Sequence, residues 1–146
     1  MSLFQSFDIS ASGMTAERFR TDIIAENIAN VNSTSTESGH PYRRKIVTFA
    51  EKSVPFEDVL KNTRNANVGD GVKVTSVTDD DTTDFVKKYD PSNPDADQNG
   101  YVSYPNVNIV TEMTNLIDAS RAYEANTTAF NASKSMAQAG LQIGKS

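Results

Sequence analysis

Two apolar stripes run along the last part of the chain at helical spacing. The segment Ile109–Ile143 contains no Pro and a single Gly, which predicts one uninterrupted helix. One stripe recurs every seven residues, with two more apolar residues beside it: Ile109, Leu116, Tyr123, Phe130, Ala137, Met113 and Leu141. The second stripe consists mainly of small residues: Ala122, Ala125, Ala129, Ala132, Met136, Ala139 and Ile143. At ~100° per residue, the two stripes lie on opposite sides of the helix.

The first part of the chain follows a similar pattern. Residues 4–30 contain no Pro and one Gly, and they also predict a helix. Its first apolar side consists of Ile9, Ala16, Phe19 and Ile23. Its opposite side consists of Phe7, Ala11, Met14, Ala25 and Ile28. A helix that is apolar on two sides cannot bury both of them against one partner.

Short polar side chains near the ends of both segments predict where the helices begin and end. Three of them are candidate N-caps of the first helix: Asp8, Ser10 and Ser12. Three others suit a capping or left-handed conformation where that helix ends: Asn27, Asn30 and Asn32. Asn108 is a favourable N-cap for the second helix, with Glu112 in its first turn.

The middle of the chain is polar and rich in turns. Residues 31–108 hold all five Pro and four of the seven Gly. Residues 43–50 and 72–77 are rich in β-branched residues, which predicts two short strands. The acidic run 79–81 is expected to be solvated, and residues 89–105 are expected to form an ordered loop or extended connector.

These patterns predict a mainly α protein with a small β-containing middle, divided into residues 1–30, 31–108 and 109–146. A helix of 35 residues is ~52 Å long, whereas a compact chain of this size has a radius of gyration of ~15 Å. We therefore expect an elongated molecule. Because the middle offers little apolar surface, the two-sided helices are expected to be buried between subunits and to order on assembly. The alternative is that each helix is buried within a monomeric bundle.

The composition excludes several classes of function. The chain has 146 residues, a formal charge of −5, one His and no Cys. An acidic chain lacks the basic field of nucleic-acid binders, and the scarcity of His and Cys argues against an enzyme, a metal site or a cofactor site. The chain has no apolar run long enough to span a membrane and no pattern of a cleaved secretory signal at its start.

One stretch resembles the beginning of a calcium-binding loop. Asp95, Asp97 and Asn99 follow the alternating pattern of oxygen ligands, and Gly100 suits the sharp turn. Position twelve of such a loop is Asn106, which cannot supply a bidentate carboxylate. The alternative is a set of ordinary Asx turns.

Two further polar features need no ligand. His40 lies in a loop-like stretch without a second His or Cys, which favours a solvated side chain. The triplet Arg43, Arg44 and Lys45 could meet phosphate or anionic lipid. In an acidic chain, pairing with nearby carboxylates is the simpler interpretation.

Several motifs, in order along nearly the whole chain, resemble the bacterial flagellar rod and hook proteins. Residues 25–30 (AENIAN) and 41–45 (PYRRK) resemble the N-terminal signature of that family, and the second resembles its proximal-rod members. Residues 89–107 and 120–126 (SRAYEAN) match later motifs. The residues that we assign to family motifs are Asn27, Ala29, Asn30, Pro41, Tyr42, Arg43, Arg44, Tyr123, Glu124 and Asn126.

The resemblance implies a structural subunit rather than an enzyme. In this family the terminal axial helices pair as a coiled coil in the inner tube of the rod, the drive shaft that transmits torque from the membrane ring to the hook. Family partners are further copies, other proximal-rod proteins, the rod–membrane-ring adaptor protein and, in transit, the type III export apparatus. The resemblance thus implies a place in the basal body, across the periplasm or cell wall.

The stripes and the resemblance together predict a subunit interface. We assign to it Ile9, Ala16, Phe19, Ile23, Ile28, Ile109, Met113, Leu116, Tyr123, Phe130, Ala122, Ala125, Ala129, Ala132 and Met136. Two alternatives stay open at this point. One is another axial subunit of the rod and hook family, and the other is a calcium-dependent binding module.

Overall fold

The computed structural model describes residues 3–53 and 69–144. Two long helices flank four short strands in this part of the chain. In chain order the elements are α1 (Leu3–Ala29), β1 (Lys45–Glu51), β2 (Val72–Asp79), β3 (Val86–Tyr89), β4 (Tyr101–Tyr104) and α2 (Ile109–Ile143). The predicted combination of two long helices with a small β-containing middle is therefore confirmed.

The start of α2 follows the prediction, whereas the start of α1 does not. The side-chain Oδ1 of Asn108 accepts hydrogen bonds from the backbone N–H groups of Val110, at 3.0 Å, and Thr111, at 3.3 Å. This is the N-cap geometry that satisfies free amides in the first turn. The three N-cap candidates for the first helix, Asp8, Ser10 and Ser12, lie inside α1, because that helix already begins at Leu3.

The end of α1 uses side-chain capping but no left-handed asparagine. Within the described residues, positive φ angles occur only at Gly, so a left-handed role for Asn27, Asn30 or Asn32 is wrong. Asn30 does cap the helix, since its Nδ2 donates to the Glu26 carbonyl at 3.0 Å. Asn27 is instead almost completely buried inside the last turns of α1.

The strands form two separate two-stranded sheets, one of β1 with β2 and one of β3 with β4. The second is an antiparallel hairpin in which Val86 pairs with Tyr104 and Tyr89 pairs with Tyr101. The expected loop or connector over residues 89–105 was therefore wrong in part. The short strand β4 was hidden between Pro- and Asp-rich turns, and it becomes a strand only by pairing with β3.

The chain divides into two compact units by its internal contacts. The first comprises Met1–Phe19, Thr48–Ser76 and Ala119–Ser146. In it, the ring of Phe7 packs edge-on against that of Phe130, with centroids 5.0 Å apart. Gly13 faces Asn126 so closely that a Cβ at position 13 would lie 2.8 Å from the Asn126 Oδ1. These two pairs place α1 and α2 antiparallel within this unit, and the glycine allows their close approach.

Ser12 connects α1 to the start of β2 in the same unit. Its Oγ donates to the Ile9 carbonyl at 2.7 Å and accepts the backbone N–H of Val72 at 3.1 Å. Gly71 precedes this strand with a φ of +102°, a conformation that L side chains rarely adopt. The hydroxyl therefore fixes the strand to the helix.

The second unit comprises Arg20–Val47 and Val77–Asp118. Its interior contains the apolar side chains of Ile24, Val102 and Val107, together with several polar ones. Over the described residues of the whole chain, polar residues are as numerous as hydrophobic ones among the buried positions. The buried polar residues are Ser10, Asn27, Asp80, Asn106, Glu112 and Ser133. Such buried polar groups generally need hydrogen-bond partners, because water cannot reach them.

Candidate assembly interface

A buried carboxylate lies at the centre of the polar interior of the second unit. The side chain of Glu112, in the first turn of α2, is 1% exposed. Its Oε1 accepts the Arg44 Nε–H at 2.8 Å, and its Oε2 accepts an amide N–H of Asn27 at 3.1 Å. The buried charge is thus paired and hydrogen-bonded, as its burial requires.

Asn27 connects this carboxylate to the start of β1. Its Oδ1 accepts the Tyr42 hydroxyl at 2.8 Å and the Lys45 backbone N–H at 2.9 Å. Its Nδ2 donates both to Glu112 and to the Lys45 carbonyl, at 2.9 Å. The buried amide thus accepts two hydrogen bonds and donates two, so its hydrogen-bonding capacity is fully satisfied.

Tyr42 responds to this environment. Burial raises the pKa of its hydroxyl to about 12, and the nearby carboxylates of Glu26, Asp79 and Glu112 add to the shift. Both effects disfavour the phenolate. Tyr42 therefore stays protonated and remains a hydrogen-bond donor to Asn27 throughout the physiological range.

The hydrogen bonds among Glu112, Asn27, Tyr42 and Arg44 form a buried network. Asn106 and Asp80 extend it towards the end of β2. The Asn106 Oδ1 accepts the Arg44 backbone N–H at 2.8 Å, and its Nδ2 donates to the carbonyls of Asp80, at 3.0 Å, and Thr83, at 3.1 Å. The Asp80 carboxylate accepts hydrogen bonds from Thr82 and Thr83. Those bonds, led by the Thr82 hydroxyl, lower the pKa of Asp80 to about 2. The prediction of a solvated acidic run was therefore wrong at Asp80, which is buried.

The basic triplet is paired within the chain. Arg43 contacts Asp81 at 3.2 Å and lies over the ring of Phe85, 4.5 Å from its centroid. Arg44 contacts Asp80 at 3.7 Å as well as Glu112. The third member, Lys45, contacts Glu26 at 2.5 Å. The interpretation as pairing with carboxylates is therefore confirmed, and it leaves little charge for phosphate or lipid.

The calcium-loop candidates form Asx turns. The Asp97 Oδ1 accepts the backbone N–H groups of Asn99 and Tyr101, at 2.8 and 2.9 Å, and the bond from Tyr101 is the main cause that lowers the Asp97 pKa. Asp95 accepts the Thr34 hydroxyl at 2.7 Å. In residues 3–53 and 69–144, no three acidic or His side chains converge as a metal site would require.

The predicted interface residues are distributed over different environments. Ala16 is buried. The half-buried ones are Ile9, Ile23, Ile28, Leu116, Ala122 and Phe130. The exposed ones are Phe19, Ile109, Met113, Tyr123, Ala125, Ala129, Ala132 and Met136. Most of the small-residue stripe of α2 is therefore not covered by the chain itself.

A different line of α2 is the one that the chain covers. Glu112, Ala119, Asn126 and Ser133 recur every seven residues, and three of them are buried while Asn126 is half-buried. Sequence reasoning missed this line because its members are polar or small. Spacing alone gave no signal, since every residue of a helix shares a face with the residues seven positions away.

Large apolar side chains are exposed on the remaining surface of the helices. The most exposed are Phe4, Val110, Met113, Ile117, Met136, Leu141 and Ile143. Val110, Met113 and Ile117 follow helical spacing, so they form one apolar face at the start of α2. Val110 and Ile117 were absent from the predicted interface, although this spacing was visible in the sequence. Apolar faces of this kind mark interaction sites on soluble proteins.

The family-motif residues have two kinds of position. Asn27, Tyr42 and Arg44 are members of the buried network, while Arg43 pairs with Asp81 beside it. Asn30 caps α1, Asn126 faces Gly13, and Pro41 is half-buried. Ala29, Tyr123 and Glu124 are exposed, as is His40. Most motif residues thus hold the subunit together rather than facing outwards.

Two family descriptions match the ends of the chain. Residues 7–35 match the family described as flagella basal body rod protein, and residues 98–143 match the C-terminal family of the flagellar basal body rod proteins FlgEFG. The first range contains Asn27, and the second contains Asn106 and Glu112. Both matched ranges therefore include residues of the buried network.

Full-length relatives give a sharper result. The chain is 43% identical over 151 residues to the flagellar basal-body rod protein FlgC of Bacillus subtilis, covering 99% of this chain and 100% of that protein. It is 45% identical over 154 residues to FlgC of Borreliella burgdorferi, covering 98% of each. Identity to FlgC of Escherichia coli O157:H7 is 40% over 145 residues, covering 99% of this chain and 100% of that protein. The chain therefore belongs to the family of flagellar basal-body rod proteins named FlgC, which are structural proteins and not enzymes.

Proposed function

We propose that this rod subunit assembles through the outward faces of α1 and α2, in contact with further copies and with other proximal-rod proteins. The observation that carries this proposal is that the start of α2 buries a charged side chain and exposes apolar ones. Glu112 is buried in the first turn, whereas Val110 is 74% and Met113 is 54% exposed. Covering one side chain of this size stabilises an interface by ~1.5–3 kcal/mol.

The proposed interface uses the exposed members of both apolar stripes of α2, together with exposed apolar residues of α1 such as Phe19. Small residues such as Ala125, Ala129 and Ala132 would let a neighbouring helix approach closely, and the exposed Met136 would fill irregular gaps. In the assembled tube the terminal helices pair as a coiled coil. The division by role is an axial helix over residues 1–30, an outer middle region over 31–108 and a second axial helix over 109–146.

The place of the subunit in the cell and its route of export follow from the same proposal. The rod crosses the periplasm or cell wall as the drive shaft between the membrane ring and the hook, and the rod–membrane-ring adaptor is a further partner. The subunit travels through the flagellar type III export apparatus. Among the described residues, no helix is long and apolar enough to cross a lipid bilayer.

The two alternatives have less support. A different axial subunit of the rod and hook family would share the terminal helices, but the full-length relatives described above are all FlgC proteins. A calcium-dependent module would need free carboxylates near Asp97, and that side chain is engaged with backbone amides. Calorimetric titration with calcium is expected to give no heat of binding.

The experiment that tests the proposal separates assembly from folding. Ile117→Ser changes a side chain that is 53% exposed, and Asp118→Ser changes its exposed neighbour as a matched control. We expect Ile117→Ser to leave the free energy of unfolding within ~0.5 kcal/mol of the parent chain, because the position is exposed. We expect it also to abolish swimming and complete rods, whereas Asp118→Ser swims normally.

A volume change in the small-residue stripe tests the same surface. Ala129→Leu adds bulk at an exposed position of α2. In a closely packed seam between subunits this costs ~1–3 kcal/mol per contact and blocks motility. Basal bodies with complete rods in either the Ile117→Ser or the Ala129→Leu strain would contradict an interface on this face.

Hydrogen exchange on the dilute chain tests whether the helices order on assembly. We expect slow exchange at backbone amides around Asn27 and Glu112, where the network is buried, and fast exchange over residues 136–143, which are largely exposed. Binding to preformed rod ends should protect residues 136–143. Equal protection along all of α2 in the free monomer would support a self-contained bundle.

A further inference from the structure

The turn between β3 and β4 contains an Asn-Gly sequence, Asn99–Gly100, which is a chemically labile step in the chain. The chain has 13 Asn residues, and only Asn99 is followed by Gly. Asparagine is among the thermolabile residues, because the next backbone nitrogen can attack its side-chain amide. Glycine at the next position leaves this attack unhindered, since it has no Cβ. The exposed Asn99 therefore stands out from the other asparagines.

The fold itself requires glycine at this position. Gly100 has a φ of +81°, and a Cβ there would lie 2.9 Å from the Tyr89 ring. Its carbonyl accepts the Asp90 N–H at 2.9 Å, which closes the hairpin next to the Tyr89–Tyr101 pair. The labile step is thus a consequence of the turn geometry and not a replaceable detail.

The same turn restrains the reacting atoms. The Gly100 N–H donates to the Asp97 carbonyl at 2.9 Å, so the attacking nitrogen is held in a hydrogen bond. The backbone N–H of Asn99 donates to the Asp97 carboxylate at 2.8 Å. Ring closure brings the Gly100 nitrogen to the Asn99 Cγ by rotation about the Cα–C and Cα–Cβ bonds of Asn99, because the peptide bond itself stays planar. It also has to break at least the first of these hydrogen bonds.

We propose that Asn99 is a site of spontaneous deamidation that the folded hairpin blocks and the opened hairpin allows. The Gly100 nitrogen loses its proton to water or hydroxide and forms a bond to the Asn99 Cγ. The Cγ–Nδ2 bond breaks, and the side-chain amide leaves as ammonia. Water then opens the resulting succinimide, giving aspartate or isoaspartate at position 99. No oxidant, cofactor or enzyme is needed.

The isoaspartate product would prevent the hairpin from closing again. It places one extra backbone atom between positions 99 and 100, which displaces the Gly100 N–H from the Asp97 carbonyl. It also shifts the Gly100 carbonyl from the Asp90 N–H. A chain that stays unfolded for long therefore loses the ability to form this turn. The proposal is independent of how the subunit assembles.

The test compares folded and unfolded full-length chain. Both are incubated at physiological temperature in mildly alkaline buffer, the second with guanidinium chloride, and conversion at Asn99 is followed by peptide mapping with mass spectrometry. Methyltransferase labelling detects isoaspartate. We expect conversion at Asn99 to be about tenfold or more faster in the unfolded chain. Asn32, which precedes Ser33, is the internal reference, and its conversion is expected to be slower.

Two variants locate the protection. Asp97→Ala removes the carboxylate from the turn and should speed conversion at Asn99 about fivefold under folding conditions, whereas Gln98→Ala should leave it unchanged. Circular dichroism checks that both variants fold. If Asp97→Ala does not fold, hydrogen exchange at the Gly100 amide of the parent chain replaces it, and slow exchange is expected. Equal rates of conversion in folded and unfolded chain, or conversion at Asn32 as fast as at Asn99, would overturn the proposal.

Discussion

The first turns of α2 combine two opposite environments within a few residues. Glu112 is charged and almost completely buried, and it accepts hydrogen bonds from Arg44 and Asn27. Val110 and Met113, on either side of it in the chain, are apolar and largely exposed. In a helix of a monomeric protein, the apolar side chains would normally be buried and the charged ones exposed. The comparison indicates that the start of α2 makes polar contacts with the rest of the chain, while the apolar side chains beside them are left uncovered by it.

The two environments have different energetic roles. A fully hydrogen-bonded polar interior fixes one geometry, because any other arrangement leaves buried groups unpaired. An apolar face adds stability only when another surface covers it, and many side chains can do so. We infer that the network defines the shape of the subunit, and that the outward face supplies the energy of assembly.

The largest expected effect comes from breaking the network. Glu112→Ala removes the acceptor of the Arg44 Nε–H and of one amide N–H of the buried Asn27, and the expected loss is ~3–5 kcal/mol of unfolding free energy. Urea denaturation of the isolated chain measures it. Glu124→Ala, an exposed carboxylate on the same helix, is the control and should change stability by less than ~0.5 kcal/mol. A small loss for Glu112→Ala would contradict the role of the network.

The same substitution at two glycines tests a helix position that the chain covers and one that it leaves uncovered. Gly13→Leu should destabilise the chain by ~1–3 kcal/mol, because even a Cβ there would lie 2.8 Å from Asn126. Gly140→Leu should stabilise α2 by ~0.5–1 kcal/mol, since nothing lies within 4 Å of a Cβ at that position and leucine favours helix.

Thermal unfolding of both glycine variants measures the difference. A loss of stability from Gly140→Leu in the isolated chain would mean that its face is already covered by the subunit itself. If Gly140→Leu also blocks rod formation, position 140 belongs to a tight contact between subunits.

The last expected effect is a pH dependence, which appears only in alkaline solution. The Tyr42 pKa is raised from 10.0 to about 12 in the folded chain, so between these values the folded state holds a proton that the unfolded state has lost. This contribution to stability is complete below pH 10 and disappears as pH rises towards 12. Tyr42→Phe should remove that part of the alkaline decline, and it should cost ~1 kcal/mol at neutral pH through the lost hydrogen bond to Asn27.

Denaturation at several alkaline pH values checks the Tyr42 prediction, with Tyr101→Phe as the control on an exposed tyrosine. If Tyr42→Phe and the parent chain lose stability in parallel above pH 10, the hydroxyl of Tyr42 is not the group responsible.

Much of the fold was predictable, since its elements follow from local preferences. The absence of Pro in residues 109–143 and the Asn108 cap determine α2, and the β-branched residues before Glu51 and after Gly71 determine β1 and β2. The strand β4 was not predictable in this way. Tyr101, Val102 and Tyr104 favour a strand, but a run of four residues between turns is too short for local preference to decide, and it needs the pairing with β3.

The site was predictable only in part. The family motifs identified Asn27, Tyr42 and Arg44, but the spacing of apolar residues gave no reason to place a glutamate inside the protein. On the line of α2 through Glu112, Ala119 and Ser133, the last two side chains are small and need little space. The glutamate is buried because Asn27 and Arg44 donate hydrogen bonds to it. Such partners come from residues as many as 85 positions apart, as for Asn27 and Glu112.

The sequence alone therefore determined the helices, the polar middle and the surplus of apolar helix surface, since periodicity and turn residues act over a few positions. Only the tertiary structure decided which side of each helix the chain covers. That choice depends on hydrogen bonds between distant residues, which cancel the cost of burying Glu112 and Asn27. The apolar side chains of α2 are exposed as a consequence, because a helix that turns its polar line inwards must turn the opposite line outwards.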